Sequence, residues 1–206
     1  MNDNSDSTIR GIITANAPYK GNALAIPRDI QKRARRLCWE FNNADPDDSA
    51  TQASILSQLL GDWNEHVVIM PHIHFDYGIN THFAGGKFSM VNFDSVFLDT
   101  SPILIGEDVL IGPRCVLACA GHPMHPEQRR NEPITTSAPI TLCDGVWLGA
   151  GVTVVGGVTI GKGTVIAAGA VVTRDIPEGV LAGGVPCRVI RPLTDADRID
   201  PSEIMF

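Results

Sequence analysis

LCDGVWLGAGVTVVGGVTIGKGTVIAAGAVV, residues 142–172, carries an aliphatic residue at every sixth position: Leu142, Leu148, Val154, Ile160, Ile166 and Val172. The same interval links Ile105, Ile111 and Leu117 upstream. Gly106, Gly112, Gly149 and Gly161 directly follow four of these residues, and Val109, Cys115, Val146, Val152, Val158, Thr164 and Ala170 hold a second, smaller register four places on. A period of six fits neither a helix nor one long alternating strand. It fits a parallel β-helix, in which each hexapeptide is one short side of a triangular coil. The aliphatic residue points inward and stacks on its equivalent one coil later, and glycine tolerates the corner. The fold class is therefore mainly β.

Outward from that stretch, the chain divides into three. Residues 1–62 read as a helical cap, 63–190 as the β-helix with a loop at 121–139, and 191–206 as a tail. Within the cap, Ile30, Ala34, Leu37 and Phe41 recur at helical spacing between Pro27 and Asn42, and Arg28 to Arg36 supply a charged face. Asp45-Pro46-Asp47-Asp48 signals a second helix, with Ile55, Leu56, Leu59 and Leu60 as its apolar face and Gly61 as its stop. The pair is expected to cover the open end of the coil, where backbone and apolar side chains are otherwise unpaired. Ile73 and Ile79, six apart, suggest an irregular start to the hexads. Met1 to Ala15 and Leu193 to Phe206 show little periodicity and are expected to be mobile or packed on a neighbour.

A chain of 206 residues that is 44% hydrophobic can bury a sizeable core. Its formal charge of −7 argues against nucleic acid or an anionic membrane as partner. No apolar run approaches the ~20 residues of a membrane span, and Met1 to Ser7 is too polar for a signal peptide, so a cytoplasmic location is expected. The five cysteines form no CxxC pair and read as buried thiols.

Leu117 and Leu142 are 25 apart, and the segment between them does not read as coil. Gly121 to Pro133 is polar, contains His122 and His125, and is punctuated by Pro123, Pro126 and Pro133. A long loop expelled from a repeat domain is usually functional, although a tolerated insertion has the same composition.

Gly121-His122-Pro123 at the loop, Val146-Trp147-Leu148-Gly149 where the coil resumes, Val171-Val172-Thr173-Arg174-Asp175-Ile176-Pro177, and Ala182-Gly183-Gly184-Val185-Pro186-Cys187-Arg188-Val189-Ile190-Arg191 together resemble the hexapeptide-repeat sugar O-acetyltransferases, the group of maltose, galactoside and nodulation-factor acetyltransferases. The resemblance spans Ile26 to Asp197 and includes Leu37 to Asn42. It implies a left-handed coil assembled as a homotrimer, with acetyl-CoA as co-substrate in grooves between subunits and no metal. His122 falls on the catalytic histidine, Asn92 on the asparagine near the thioester, and Trp147, Ala150, Ala168, Thr173, Arg174, Arg188 and Arg191 on coenzyme-contacting positions. Arg174 stands where relatives carry lysine, which keeps the charge and changes its geometry.

The chemistry is consistent with those residues. A hydroxyl attacking a thioester needs a base, and an ordinary histidine, pKa ~6.5, is mostly neutral near pH 7. His122 sits at the loop's root and can be held in place, whereas His125 lies further out, in solvent or lining the acceptor pocket. The Ala150 N–H and the Asn92 amide are candidate donors to the developing oxyanion. Arg174, Arg188 and Arg191 could hold the coenzyme's phosphates or form a solvated face, and Trp147 could equally be a core or interface residue.

The acceptor positions depart from the family. Gly21 and Thr100 replace two sugar-contacting acids, with Asp99 beside Thr100, while Asp76 replaces a serine and Met90 a tyrosine. The acceptor is accordingly expected to be a sugar, a glycoside or a less polar hydroxyl compound. Two other classes stay open: a trimeric zinc hydratase, suggested by His72, His74, His82, His122 and His125, and a β-helix scaffold without activity.

Overall fold

A computed structural model describes residues 3–206, with side chains from Ser7 onward. Three parallel sheets form the faces of a triangular coil. The first face stacks Thr81–Gly85, Ile103–Glu107, Ile140–Leu142 and Thr159–Ile160. The second runs from Val67–Ile69 through Ser89–Val91, Leu110–Ile111, Trp147–Leu148 and Val165–Ile166 to Val180–Gly183. The third holds His74–Phe75, Val96–Leu98, Val116–Ala118, Thr153–Val155 and Val171–Val172.

The six-residue aliphatic positions become three inward columns. Leu142 is in register with Ile160, Leu148 with Ile111 and Ile166, and Val154 with Leu117 and Val172. All eight are fully or almost fully buried. Such a core draws most of its stabilisation from burial of apolar surface, at roughly 1.5–3 kcal/mol per large side chain. Gly149 does not serve the corner through unusual backbone freedom. A Cβ there would stand 2.7 Å from the Ala168 nitrogen, so its hydrogen is what lets successive coils touch. The left-handed corner positions fall instead on residues such as Gly151 and Gly169, φ +69° and +72°.

The early coils are wider than the hexads suggest. The columns begin at Ile69 and Phe75, not at Ile73 and Ile79, and Ile79 is only half-buried. Phe75 pairs with Phe97, their rings stacked at 4.6 Å. These residues are 22 apart rather than 18, the extra chain being taken up around Gly78 and Gly85-Gly86, all at positive φ. Larger side chains fill the wider section.

Helices α2 (Arg28–Asn42) and α3 (Ser49–Leu59) cover that end. Pro27 sits one residue before the helix as its cap, and the Asp48 carboxylate accepts the Thr51 N–H at the start of α3. Leu37, Phe41, Ile55 and Leu59 belong to the same core as Ile69, Ile73 and Phe75. Asn42 deals with the exposed strand edge directly: its amide donates to the Ile73 carbonyl and accepts the Ile73 N–H, both at 2.9 Å. One side chain thus substitutes for a missing neighbouring strand. At the far end, Arg188–Pro192 folds back antiparallel on Val180–Gly183.

Two expectations about the termini change. Helix α1 (Asp3–Thr14) precedes the cap, and Ile13 is buried against Ile30 and Tyr77 while its carbonyl accepts a 2.9 Å bond from Asn80. Only the Met1–Asn2 part of the expectation for that segment lies outside the described residues. The tail forms two short 3₁₀ turns, Asp195–Asp197 and Pro201–Glu203, with most side chains exposed.

The loop is not free chain either. Ala120–Gly121 and Ile134–Ser137 form an antiparallel pair, and Tyr19–Asn22 joins as a third strand against Ile134–Ser137. Between the first two lies the short helix α4 (Pro126–Asn131). The loop's root is therefore a small sheet pinned to the N-terminal segment.

Candidate active site

His122 follows the last residue of the outgoing loop strand, and the returning strand begins at Ile134. Its Nδ1 lies 3.3 Å from the Ile134 carbonyl oxygen. A carbonyl can only accept, so in this contact Nδ1 is the donor. Nε2 has no partner among the described residues, and the ring lines a cleft of about 570 Å³. The hairpin thus fixes one edge of the imidazole ring at the cleft.

The cleft lies between the hairpin and α2. Ala120 and Thr135 of the hairpin line it, with Asp76 and Thr100 of the coil. Burial raises the Asp76 carboxyl above its usual range, opposed by a 2.9 Å bond from the Gln31 amide and by the charge of Arg35. The Thr100 hydroxyl is joined to the Ser137 hydroxyl at 2.7 Å, and its carbonyl accepts from Tyr19, so Thr100 braces the hairpin against the coil.

Asp99 does not reach the cleft. It is completely buried, with Oδ1 accepting the Tyr77 N–H at 2.7 Å and Oδ2 accepting from Thr81 at 3.1 Å. Burial pushes its pKa up to about 6 despite those bonds. Its neighbour Thr100, in the bend that follows the Val96–Leu98 strand, lines the cleft instead. Gly21 lies in the N-terminal strand opposite Thr135. His125 is exposed, caps α4 and is not part of the cleft lining.

The remaining candidates gather elsewhere. Met90 and Trp147 sit on the second face, on either side of Leu110 in the same outward register, with Asn92 just beyond its strand. The Asn92 oxygen accepts the Phe93 N–H at 2.8 Å, which leaves the amide NH₂ free to donate. Ala150 and Ala168 occupy equivalent corners one coil apart. On each side their neighbours' amides are used, Gly149 to Ile166, Gly151 to Pro113, Ala167 to Ala182 and Gly169 to Ala150. The N–H groups of Ala150 and Ala168 themselves have no acceptor among the described residues. None of these residues lines the His122 cleft. Within one chain the candidates therefore form two separate groups.

Thr173 and Arg174 are exposed at the end of the third face, and Arg174 has no ion pair among the described residues. Arg188 donates to the Cys187 carbonyl at 2.7 Å. Arg191 is committed: it forms a two-pronged pair with Asp197 at 2.9 and 2.5 Å, which holds the Asp197 pKa near about 2. That pairing was invisible in the sequence, where Asp197 lies in the tail.

The histidines do not converge. His82 is bonded to Asp62 at 2.7 Å beside a groove of about 730 Å³ on the first face, His72 and His74 lie by the capping helix, and His122 stands alone in its cleft. Among the described residues no three potential ligands form a metal-holding group. Likewise, no helix among them is long and apolar enough to cross a membrane.

Coil, capping helices and a histidine-bearing hairpin define an acyltransferase of the hexapeptide type. Residues 139–174 match the bacterial transferase hexapeptide (six repeats) model, and residues 18–64 match the maltose acetyltransferase hexapeptide capping motif. The galactoside O-acetyltransferase of Escherichia coli K12 is 40% identical over 166 residues, covering 81% of this chain and 80% of its own. Among solved structures, a maltose O-acetyltransferase from Clostridium difficile 630 superposes with TM-score 0.77 at 36% identity, over 82% of this chain and 88% of its own. A hexapeptide-repeat acetyltransferase from Vibrio cholerae, solved with acetyl coenzyme A, superposes with TM-score 0.75 at 33% identity, over 82% and 89%. This chain belongs to the hexapeptide-repeat acetyltransferases, alongside the galactoside and maltose enzymes.

Proposed function

We propose that the protein transfers an acetyl group from acetyl-CoA to a hydroxyl of a small acceptor, with His122 as general base, in a left-handed homotrimer whose sites lie between subunits. The observation that carries this is the 3.3 Å contact from Nδ1 to the Ile134 carbonyl on a ring that lines a cleft, an arrangement in which Nε2 is the nitrogen left to act as base. As the acceptor oxygen bonds to the acetyl carbon, its proton passes to Nε2. The Ile134 carbonyl dipole then faces an imidazolium and stabilises it. The carbon–sulfur bond breaks, and the proton on Nε2 returns to the departing thiolate. No covalent enzyme adduct is needed.

Two further features support the assembly. The groups that would serve the thioester, Asn92, Trp147 and the free N–H of Ala150, stand apart from His122 in one chain. A neighbouring copy can bring its second face to the cleft of the first. That face also carries an outward apolar column, Val68, Met90, Leu110, Trp147 and Val165, paired in register. Val68, Leu110 and Trp147 are 40%, 38% and 50% exposed in the single chain, more than a soluble surface of aligned strands ordinarily leaves uncovered. For the coenzyme, Arg174 and Arg188 offer unpaired guanidinium groups to phosphate oxygens, and Ala168 offers an unused amide near them.

His122→Ala is expected to lower turnover by about 10²–10⁴-fold while acetyl-CoA binding stays nearly unchanged. His125→Ala should cost far less, since its ring is outside the cleft. Full activity without His122 would overturn the assignment.

A further inference from the structure

The cleft's other wall is a row of cations. Arg28, Lys32 and Arg35 are spaced four and three residues apart on α2, which puts them on one stripe, and all three line the cleft that holds His122. Each is exposed, and none has a carboxylate within ion-pair distance among the described residues. Elsewhere on α2, Asp29 pairs with Arg10 at 2.8 Å and Arg36 with Glu40 at 2.7 Å, while Arg33 donates to the Gln58 carbonyl. Three cations of α2 without ion pairs thus stand on the side that lines the cleft.

The opposite wall does little to neutralise them. Asp76 is the one carboxylate of the lining, and it is held by Gln31 and driven toward its neutral form by burial. The lining thus carries three positive charges and at most one negative charge, on a chain whose formal charge is −7. Like charges in a concave, partly apolar site repel one another and concentrate a positive potential there. A neutral sugar would leave that potential unanswered, and an anion would relieve it. The coenzyme's phosphates have separate candidates in Arg174 and Arg188, on the last coils at the opposite end from the capping helices.

We infer that the acceptor is an anionic hydroxy compound, one that carries a carboxylate or phosphate received by Arg28, Lys32 and Arg35 while a hydroxyl faces His122. This rests on the transferase reading and narrows its substrate class. It also replaces the expectation of a less polar acceptor, which considered the missing carboxylates but not the direction of the α2 stripe.

The test compares glucose, glucose 6-phosphate and glucuronate, each measured for acetyl transfer from acetyl-CoA and, separately, for binding by calorimetry. The anionic members should exceed glucose by about tenfold or more at low salt, the scale of one added charge-assisted contact, and the advantage should shrink as sodium chloride is raised. Comparing phosphate with carboxylate shows which anion the site takes. Lys32→Glu should reduce the preference for anionic over neutral acceptor about tenfold and leave the KM for acetyl-CoA within about twofold. Equal or better use of glucose, in turnover or in binding where none is turned over, would overturn the inference. So would a rise in the KM for acetyl-CoA in Lys32→Glu, which would make the stripe a coenzyme site. Failure of acetyl-CoA itself to bind would instead overturn the transferase reading.

Discussion

Replacing Asp99 with asparagine should make the protein more stable above neutral pH, though it alters a completely buried, doubly bonded side chain. The carboxyl's pKa stands near about 6 against an ordinary 3.8, chiefly because burial penalises the charged form. Below about pH 3 the group is protonated folded and unfolded, and its full contribution is present. As pH rises from 3.8 to 6, the unfolded chain releases the proton more readily, so stability falls and then levels off. The difference of about 2.2 units corresponds to about 3 kcal/mol at 1.36 kcal/mol per unit. Asparagine fits the same bonds: its oxygen can accept the Tyr77 N–H, and its amide can donate to the Thr81 hydroxyl, which turns to accept. Asp76, the nearby carboxyl also raised by burial, is present in both proteins, so the difference curve isolates Asp99. Thermal unfolding at one fixed protomer concentration should give similar midpoints at about pH 3, below both pKa values. At pH 8 Asp99→Asn should melt roughly 6–12 °C higher. A variant destabilised equally at both values would refute the reasoning, because it would mean that the carboxylate is ionised at ordinary cost and its hydrogen bonds outweigh burial.

Gly149→Ala should be destabilised by about 1–3 kcal/mol or fail to assemble, because the new Cβ meets the Ala168 backbone at 2.7–3.0 Å, and that backbone is held by coil hydrogen bonds. Urea unfolding measures the loss, and wild-type stability would show that the coils can separate locally. Arg188→Ala should raise the KM for acetyl-CoA more than it lowers kcat, since phosphates far from the reacting carbon contribute equally to ground and transition states. Arg191→Ala should do less, because Asp197 already occupies its guanidinium. The order is read from steady-state kinetics, and a larger effect at Arg191 would reverse the assignment.

The regular coils were legible because their inward positions recur in the sequence itself: a residue such as Leu148 is buried by its own equivalents, Ile111 and Ile166. The first coils were less so. Between Phe75 and Phe97 the corners widen at Gly78 and Gly85-Gly86, and the period is lost even though the stacking continues. Helix α1 escaped because few of its residues are apolar, and it is held by contacts such as Ile13 with Tyr77 that arise only after the coil has formed. His122 was evident from its place at the loop's root. Its Ile134 partner was not, since that bond depends on the hairpin's return and on a third strand from the distant N-terminal segment. Arg28, Lys32 and Arg35 were visible as a charged face, but the direction of that face is decided by how α2 docks. Asp99 and Thr100 are adjacent in sequence, yet only Thr100 lines the cleft, which periodicity cannot reveal in the bend beyond the strand.

The proposed site joins His122 of one subunit to the second face of another. Mixing the two inactive variants His122→Ala and Asn92→Ala, unfolded and reassembled together at equal amounts, tests it most directly. In a trimer of random composition about a quarter of the sites would join an intact His122 to an intact Asn92 across an interface, so acetyl transfer should return to about a quarter of the wild-type rate. Activity no higher than the average of the two variants measured alone would contradict the account, since both residues would then have to act from the same chain.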